Sequence, residues 1–202
     1  MKKTIYLVRH GQTNFNLKGI VQGSGIDSEL NDTGHKQAYK FYKYFKNIPF
    51  DVAYVSQLKR THQSIAPFVE KGLNQIIMPE LNEINWGELE GKDPTPERYK
   101  HFLSISDRWK KGDLHAAVDG GESAHSMVER QKIGWGKIHA SHFKNILICM
   151  HGRAIRSFLC VITGKHPSQM DDFKHTNLGL YKLIESEPHY DIELFNFTEH
   201  LD

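Results

Sequence analysis

The sequence contains little cysteine, with two residues in a chain of 202. Cys149 and Cys160 lie in the apolar segments ILICMHG and FLCVI, and their spacing is not that of metal ligands. A fold stapled by disulfides or zinc is therefore not expected. Both cysteines are predicted to be reduced thiols in the core, which is typical of a protein in the cytoplasm.

Long hydrophobic runs and an excess of one charge are also lacking. After MKK, only a short apolar stretch precedes Arg9, which is too little for the core of a signal peptide. No later segment is long enough to span a bilayer. The formal net charge is +2, and the basic residues are mixed with acidic ones. We therefore expect no membrane and no nucleic-acid partner.

The periodicity of apolar residues predicts an α/β fold. A chain of 202 residues can bury one core, so residues 1–202 are expected to form a single domain. Short apolar segments rich in β-branched residues predict buried strands at 4–8, 52–55, 75–78 and 146–150. One helix is predicted after a cap at Asn31. Three further helices are predicted at 58–70, 123–143 and 154–162. This alternation predicts a three-layer sandwich, with a mostly parallel central sheet and helices on both faces.

The last part of the chain has a different pattern. The segments GLYKLIE and DIELFNF are strand-like, and SEPHY separates them. They are predicted to form an antiparallel pair at the edge of the sheet.

Side chains that could take part in catalysis or bind an anion follow three of the predicted strands. Arg9 and His10 end the first strand, His151 follows the fourth, and Arg60 lies early in the helix after the second. Because the carboxyl ends of parallel strands share one edge, these side chains are expected to meet there. Two arginines and two imidazoles, with Gly152 allowing close backbone approach, suit a compact anion of high charge. Phosphate fits this description better than a carboxylate.

Each of these residues alone has an ordinary structural explanation. A histidine before glycine at a strand end is more often packed in a turn than catalytic, and an arginine early in a helix is usually solvated. The convergence of three strand ends is what favours a functional site. His139 and His142 lie one helical turn apart, but no further ligand accompanies them, so no metal site is predicted.

Several motifs, in order along nearly the whole chain, resemble the histidine phosphatase superfamily, also called the phosphoglycerate mutase-like family. They are RHG followed by QTNFN, then GSGIDSELNDTGHKQA, SQLKRTHQS, LNEINWGELEG, GGES and CMHGRAIR. The ending NFTEHL is similar to the last strand and turn of the family. One RHG tripeptide is weak evidence, whereas these motifs in register are specific.

The resemblance implies a phosphohistidine mechanism that needs no metal and no cofactor. His10 of the RHG motif would be the nucleophile. Glu83, at the acid position of the family, would give a proton to the leaving oxygen and later take one from water. The family register favours Glu83 over Glu80 and Glu88. The residues implied to hold the phosphate are Arg9, Asn16, Arg60, His151 and Gly152.

The reaction type differs between branches of the family. Cofactor-dependent phosphoglycerate mutases carry a long insertion with a basic pair before the GES-like motif. Here about 30 residues connect Gly91 to Glu122, without an Arg-Arg pair, and Gln12 and Thr13 stand where such mutases usually carry Glu-Ser. These features favour a phosphatase. A mutase is the alternative, and a catalytically silent protein that binds phosphorylated ligands is a further one.

The segment 92–120 is predicted to form a small cap after Glu83. Its helical part places aromatic and apolar side chains near one face, which suits either a cap or an ordinary packed helix: Tyr99, Phe102, Leu103 and Trp109. Basic side chains that could meet a substrate or face water are Lys18, Lys100, Arg108 and Lys110. The expected partner is a phosphorylated small-molecule substrate. A sugar phosphate, a phosphoglycerate and a nucleotide are all candidates, and a phosphoprotein is a further candidate substrate. A homodimer is compatible with the sequence, which leaves the oligomeric state open.

Overall fold

A single six-stranded sheet organises residues 2–202, which are the residues that the computed structural model describes. The strands are β1 (Thr4–Arg9), β2 (Val52–Val55), β3 (Gln75–Ile77), β4 (Asn145–Met150), β5 (Leu180–Ser186) and β6 (His189–Phe197). Their order is β3-β2-β4-β1-β5-β6. The first four strands run parallel, whereas β5 is antiparallel to β1 and to β6. The predicted mostly parallel sheet with an antiparallel pair at its edge is confirmed.

Helices pack on both faces of this sheet. They are α1 (Asn14–Lys18), α2 (Asp32–Phe45), α3 (Lys59–Val69), α4 (Pro96–Lys110), α5 (Ala124–Ala140) and α6 (Gly152–Thr163). Side chains of β1 alternate between two cores, because successive residues of a strand point to opposite faces. Ile5 and Leu7 join the core that contains residues of α4, α5 and α6, while Tyr6 and Val8 join the core that contains residues of α2 and α3. The three-layer α/β architecture is therefore confirmed.

The register of the parallel strands sets the level at which their ends lie. Arg9 of β1 pairs with Met150 of β4, and Val55 of β2 pairs with Cys149. His10 and His151 therefore leave neighbouring strands at the same level. This shared level is the reason that two residues 141 positions apart in the chain can belong to one site.

The element boundaries differ little from those expected. Asn31 caps α2 as predicted, because its side chain accepts a hydrogen bond from the Gly34 N–H at 2.9 Å. The helix expected at 154–162 begins two residues earlier, at Gly152, since His151 is its N-cap. The short helix α1 has no apolar periodicity and was not predicted. It is held by a capping box, in which Thr13 and Asn16 bond each other's backbone N–H.

The segment 92–120 contains α4, and the expected orientation of its side chains is only half right. Trp109 is buried and its indole N–H donates to the Ala116 carbonyl at 2.8 Å. Phe102 also faces inward, where it packs against Trp86. Tyr99 and Leu103 are exposed instead, because they flank the face that buries Ile105, Ser106 and Trp109. The helix packs against the turn of 3-10 helix at Pro167–Asp172.

The two cysteines are buried and unpaired, as predicted. Among the described residues, no helix combines the length and the apolar character that crossing a bilayer requires.

Candidate active site

A cavity of about 300 Å³ opens at the carboxyl edge of the parallel strands. Five residues of its wall were predicted from the sequence: Arg9, His10, Asn16, Glu83 and Gly152. These residues come from β1, α1, the loop before α4 and the start of α6. Tertiary folding thus brings together groups from the first, middle and last thirds of the chain.

His10 has one ring nitrogen that carries no proton. Its Nδ1 lies 2.7 Å from the Gly11 carbonyl oxygen, and because a carbonyl only accepts hydrogen bonds, Nδ1 carries the proton. Burial lowers the pKa of His10 well below its usual value, and the charges of Arg60 and Arg9 lower it further. The imidazole is therefore neutral, and the lone pair of Nε2 is available.

Arg9 supplies a donor that has no partner among the described residues. Its Nε is buried and makes no hydrogen bond within residues 2–202, although Arg9 lines the cavity. Its Nη1 donates to Nδ1 of His175 at 3.3 Å. Burial lowers the pKa of Arg9 to about 10, which leaves the guanidinium charged at neutral pH. A buried, charged donor without an acceptor is costly unless an anion joins it.

Asn16 is oriented by two donors that both bond its side-chain oxygen. The Thr13 N–H donates to Oδ1 at 3.2 Å, and the Asn177 amide donates to it at 3.1 Å. The Asn16 amide nitrogen is thereby left to donate into the cavity. Asn177 also donates to the His10 carbonyl at 2.9 Å, so it links the backbone of His10 to the Asn16 side chain. No sequence motif pointed to Asn177.

Arg60 and His151 lie behind His10 and do not line the cavity. Both are fully buried, and the His151 ring centroid lies 5.3 Å from that of His10. Arg60 Nε donates to His151 Nδ1 at 3.1 Å, so His151 carries its proton on Nε2 and donates it to Ser56 Oγ at 2.8 Å. Burial lowers the pKa of Arg60 to about 10 and that of His151 well below its usual value. Arg60 and His151 are thus a cation and a neutral imidazole packed behind His10. Their contact with phosphate stays a prediction.

Glu83 accepts hydrogen bonds from three backbone N–H groups. Oε1 accepts from Ile84 and Ala154 at 2.9 and 2.8 Å, and Oε2 accepts from Arg153 at 3.0 Å. Two of these donors belong to the first turn of α6, whose N-terminus favours negative charge. Oε2 keeps one lone pair free to carry a proton.

The two other acids considered from the sequence lie elsewhere. Glu80 forms an ion pair with Lys137, and Glu88 lies beside His101 on the surface. Glu83 is the carboxylate of these three that lines the cavity.

The loop that carries Glu83 is fastened by Arg130 of α5. Arg130 donates to the carbonyls of Glu80, Asn82 and Glu83 at 2.8, 2.9 and 3.2 Å. It also forms a paired contact with Glu122 of the GGES segment, at 2.7 and 2.9 Å. Arg130 thus links Glu122 to the loop that carries Glu83.

Sequence reasoning missed several residues of the cavity wall, namely Gln22, Trp86, Arg153, Arg156 and His175. The segment CMHGRAIR held a usable signal, because Arg153 and Arg156 are spaced to share one face of a helix that starts at the site. His175 stands in a loop with no periodicity, so no local pattern could reveal it. The four basic residues that were left open are exposed and do not line the cavity: Lys18, Lys100, Arg108 and Lys110.

The donors and the histidine pair define a site that suits a phosphate group at the edge of an α/β sheet. A family model described as "Histidine phosphatase superfamily (branch 1)" matches residues 5–198. The chain belongs to this superfamily. Within residues 2–202, no group of three or more His, Cys, Asp or Glu residues is arranged to hold a metal ion.

Individual relatives include both phosphatases and mutases. The chain is 29% identical over 200 residues to the "Uncharacterized phosphatase PhoE" of Bacillus subtilis, covering 98% of this chain and 96% of that protein. It is 30% identical to a 2,3-bisphosphoglycerate-dependent phosphoglycerate mutase of Bartonella henselae, over 84% of this chain and 86% of that one. A solved structure of phosphoserine phosphatase from Entamoeba histolytica superposes with a TM-score of 0.83 at 24% identity, covering 98% and 99% of the two chains. This last likeness is one of fold.

Proposed function

We propose that the protein is a phosphomonoester hydrolase that works through a phosphohistidine, without a metal ion. The observation that carries the proposal is the neutral His10 with a free Nε2, beside the unpartnered Nε of Arg9 on one cavity wall. The first is a nucleophile and the second is a cationic donor for a phosphate oxygen. The substrate is a soluble phosphorylated metabolite of the cytoplasm, covered from one side by α4 in the segment 92–120.

The reaction proceeds in two displacements. Nε2 of His10 attacks phosphorus, the P–N bond forms, and the P–O bond to the leaving group breaks. Arg9, Asn16 and the Gly152 N–H, which line the cavity, bind the oxygens on phosphorus while charge spreads over them. Arg60 and His151 join them by exchanging present partners, the Gly23 and Ile26 carbonyls and Ser56 Oγ, for phosphate oxygens. Glu83 gives its proton to the leaving oxygen from Oε2. Water then attacks phosphorus, Glu83 takes a proton from it, and phosphate leaves as the P–N bond breaks.

A mutase is the second candidate, because the relative from Bartonella henselae carries that activity in its name. Both reactions pass through the same phosphoenzyme and differ in whether water or a second hydroxyl accepts the phosphoryl group. The short connection between Gly91 and Glu122, which lacks an Arg-Arg pair, supports hydrolysis.

Release of inorganic phosphate from a panel of monoesters in EDTA tests the proposal. We expect release by the wild-type protein, loss of release in His10→Ala, and an acid-labile phosphoryl group on His10 in quenched wild-type samples. Conversion of 3-phosphoglycerate only with a bisphosphate primer, and no release from any ester, would identify a mutase. Binding of esters without turnover or phosphoenzyme would identify a silent binding protein.

A further inference from the structure

A loop at residues 175–179 holds the end of β1, from which His10 faces the cavity. The Leu178 N–H donates to the Arg9 carbonyl at 3.1 Å. The Asn177 amide donates to the next carbonyl, that of His10, at 2.9 Å. The position of this 175–179 loop therefore sets the position of the His10 backbone.

Leu178 has a backbone conformation that leucine rarely adopts. Its φ is 55°, in the left-handed region, where the Cβ of any residue other than glycine is crowded. Such a conformation persists only when the surrounding structure holds it in place. The N–H of Leu178 is held by Arg9, and its carbonyl accepts a hydrogen bond from His200 Nε2 at 2.9 Å. The bond from His200 therefore helps to keep a strained peptide of the loop in one shape.

His200 stands in an aromatic cluster where a phenylalanine would also fit. Its buried ring has its centroid 5.4 to 6.0 Å from those of four aromatic side chains: Phe41, Tyr44, Phe45 and Phe197. Because a carbonyl only accepts hydrogen bonds, Nε2 carries the proton, and Nδ1 is left buried without a partner among residues 2–202. Burial lowers the pKa of His200, so the ring is neutral at pH 7. A buried acceptor without a donor costs free energy, whereas the Nε2 bond to Leu178 is a contact that phenylalanine cannot make.

Asn196 holds the same loop at a second point. Its Oδ1 accepts from the Thr176 N–H at 3.0 Å and from the Thr176 hydroxyl at 3.3 Å. The fit is close, because a Cβ at Gly179 would overlap Asn196 Oδ1. Asn196 and His200 both belong to the closing segment NFTEHL. The end of the chain thus grips the 175–179 loop on either side of Asn177.

The closing segment is itself fastened to α2, away from the cavity. The turn of 3-10 helix at Glu199–Leu201 packs against this helix, and the Lys40 ammonium donates to the Leu201 carbonyl at 2.6 Å. Neither Asn196 nor His200 lines the cavity. Any effect of these two residues on a reaction must therefore pass through the loop that they hold.

We infer that His200 and Asn196 are positioning residues for phosphoryl transfer, which hold the 175–179 loop against the end of β1 so that His10 faces the phosphate. This inference rests on the proposed function, to which it adds residues that do not touch the substrate. A misplacement of about 1 Å far from the reacting atoms can cost about 10²-fold in rate. Because these contacts orient the nucleophile and do not bind the ester, their loss should lower kcat more than it raises KM.

Two substitutions of His200 test the inference with p-nitrophenyl phosphate. His200→Phe keeps an aromatic ring in the cluster and removes the donor to Leu178, whereas His200→Gln keeps a donor at a reach similar to that of Nε2. We expect kcat to fall about tenfold or more in His200→Phe, with KM changed less than about twofold. His200→Gln should restore kcat to within about threefold of the wild type. Phe68→Leu thins the same core without breaking a hydrogen bond of the loop, so it should lower the free energy of unfolding and leave kcat unchanged.

Asn196→Gly is the second route to the same test, and it decides the inference if His200→Phe does not fold. Glycine tolerates the φ of 46° at this position and removes only the acceptor for Thr176. We expect the same fall in kcat with little change in KM. Unchanged kcat in the folded variants would overturn the inference. Equal losses of kcat in His200→Phe and Phe68→Leu would overturn it as well, since His200 would then have a structural role alone.

Nitrogen NMR spectra of the His10 ring and the Asn177 amide give a readout that needs no turnover. His200→Phe and Asn196→Gly should shift these resonances, whereas His200→Gln and Phe68→Leu should leave them near their wild-type positions. If the wild type releases no phosphate from any ester, the hydrolase is refuted and the spectra decide whether the loop positions His10. Resonances that stay in place in both His200→Phe and Asn196→Gly would then refute the positioning role.

Discussion

Arg60 donates from Nε to Nδ1 of His151 at 3.1 Å, and both residues are fully buried behind His10. The same bond fixes the tautomer of His151, whose Nε2–H then donates to Ser56 Oγ at 2.8 Å. Arg60 also donates to the carbonyls of Ile26 and Gly23 at 2.6 and 3.2 Å. A buried cation is thus held by three acceptors, which gives the floor of the site one geometry.

Replacement of His151 by leucine should destabilise the protein. His151→Leu removes the acceptor of Arg60 Nε, which is left buried without a partner. It also removes one donor to Ser56 Oγ, which keeps its contacts with the Leu58 N–H and Thr61 Oγ1. We expect the free energy of unfolding to fall by about 3 kcal/mol. Urea denaturation measures this change, with His35→Leu on the exposed side of α2 as the control. Equal stability of the two variants would contradict the prediction.

The stability of the folded protein should decrease when the pH falls below the pKa of an ordinary histidine. Burial, followed by nearby arginines, holds the pKa of His10 and His151 well below 6.5 in the folded protein. The unfolded chain takes up protons on both residues near pH 6.5, so below this pH it binds more protons than the folded state. The free energy of unfolding is therefore retained above about pH 7 and falls below it, by up to about 1.4 kcal/mol per pH unit for each histidine.

Urea titrations between pH 5 and pH 8 measure this slope. His151→Leu should have a shallower slope than the wild type, because one histidine no longer titrates in the unfolded chain. A slope that is the same in both proteins would show that other groups dominate the acid sensitivity.

Glu83→Gln should slow hydrolysis most for esters with poor leaving groups. The amide cannot transfer a proton as the carboxyl can, and proton transfer is worth about 10²- to 10⁴-fold. We expect a loss of this size with glycerol 3-phosphate and a much smaller loss with p-nitrophenyl phosphate, whose leaving group needs no proton. Glu88→Gln, which changes an exposed acid, is the matched control. Equal losses with both esters would exclude Glu83 as the proton donor.

Arg130→Met should lower kcat by displacing Glu83. The variant removes three bonds to the loop carbonyls of Glu80, Asn82 and Glu83, together with the ion pair to Glu122. We expect a loss of about tenfold or more in kcat with little change in KM, because Arg130 does not line the cavity. The loss should be smaller with p-nitrophenyl phosphate, as for Glu83→Gln. Lys132→Ala, at an exposed position of the same helix, should leave kcat unchanged.

Much of the fold could be predicted because its signals are local. Short β-branched apolar segments predicted the parallel strands, and the Asn31 cap correctly marked the start of α2. The inward orientation of Tyr99 and Leu103 was wrong, since both are exposed beside the buried face of α4. Helical spacing does not define where the buried face of a helix ends when apolar residues cover more of its surface than the core can bury.

The sequence by itself determined which residues end the strands of the sheet, and so placed Arg9, His10 and His151 at one edge. This follows from chain connectivity and the shared direction of parallel strands. Only the tertiary structure decided which contacts hold the rest of the site. Asn177 bonds Asn16, Arg130 bonds the loop that carries Glu83, and Asp171 lies between Arg153 and Arg156. Such contacts join residues far apart in the chain and depend on packing angles and side-chain directions, which local periodicity does not encode.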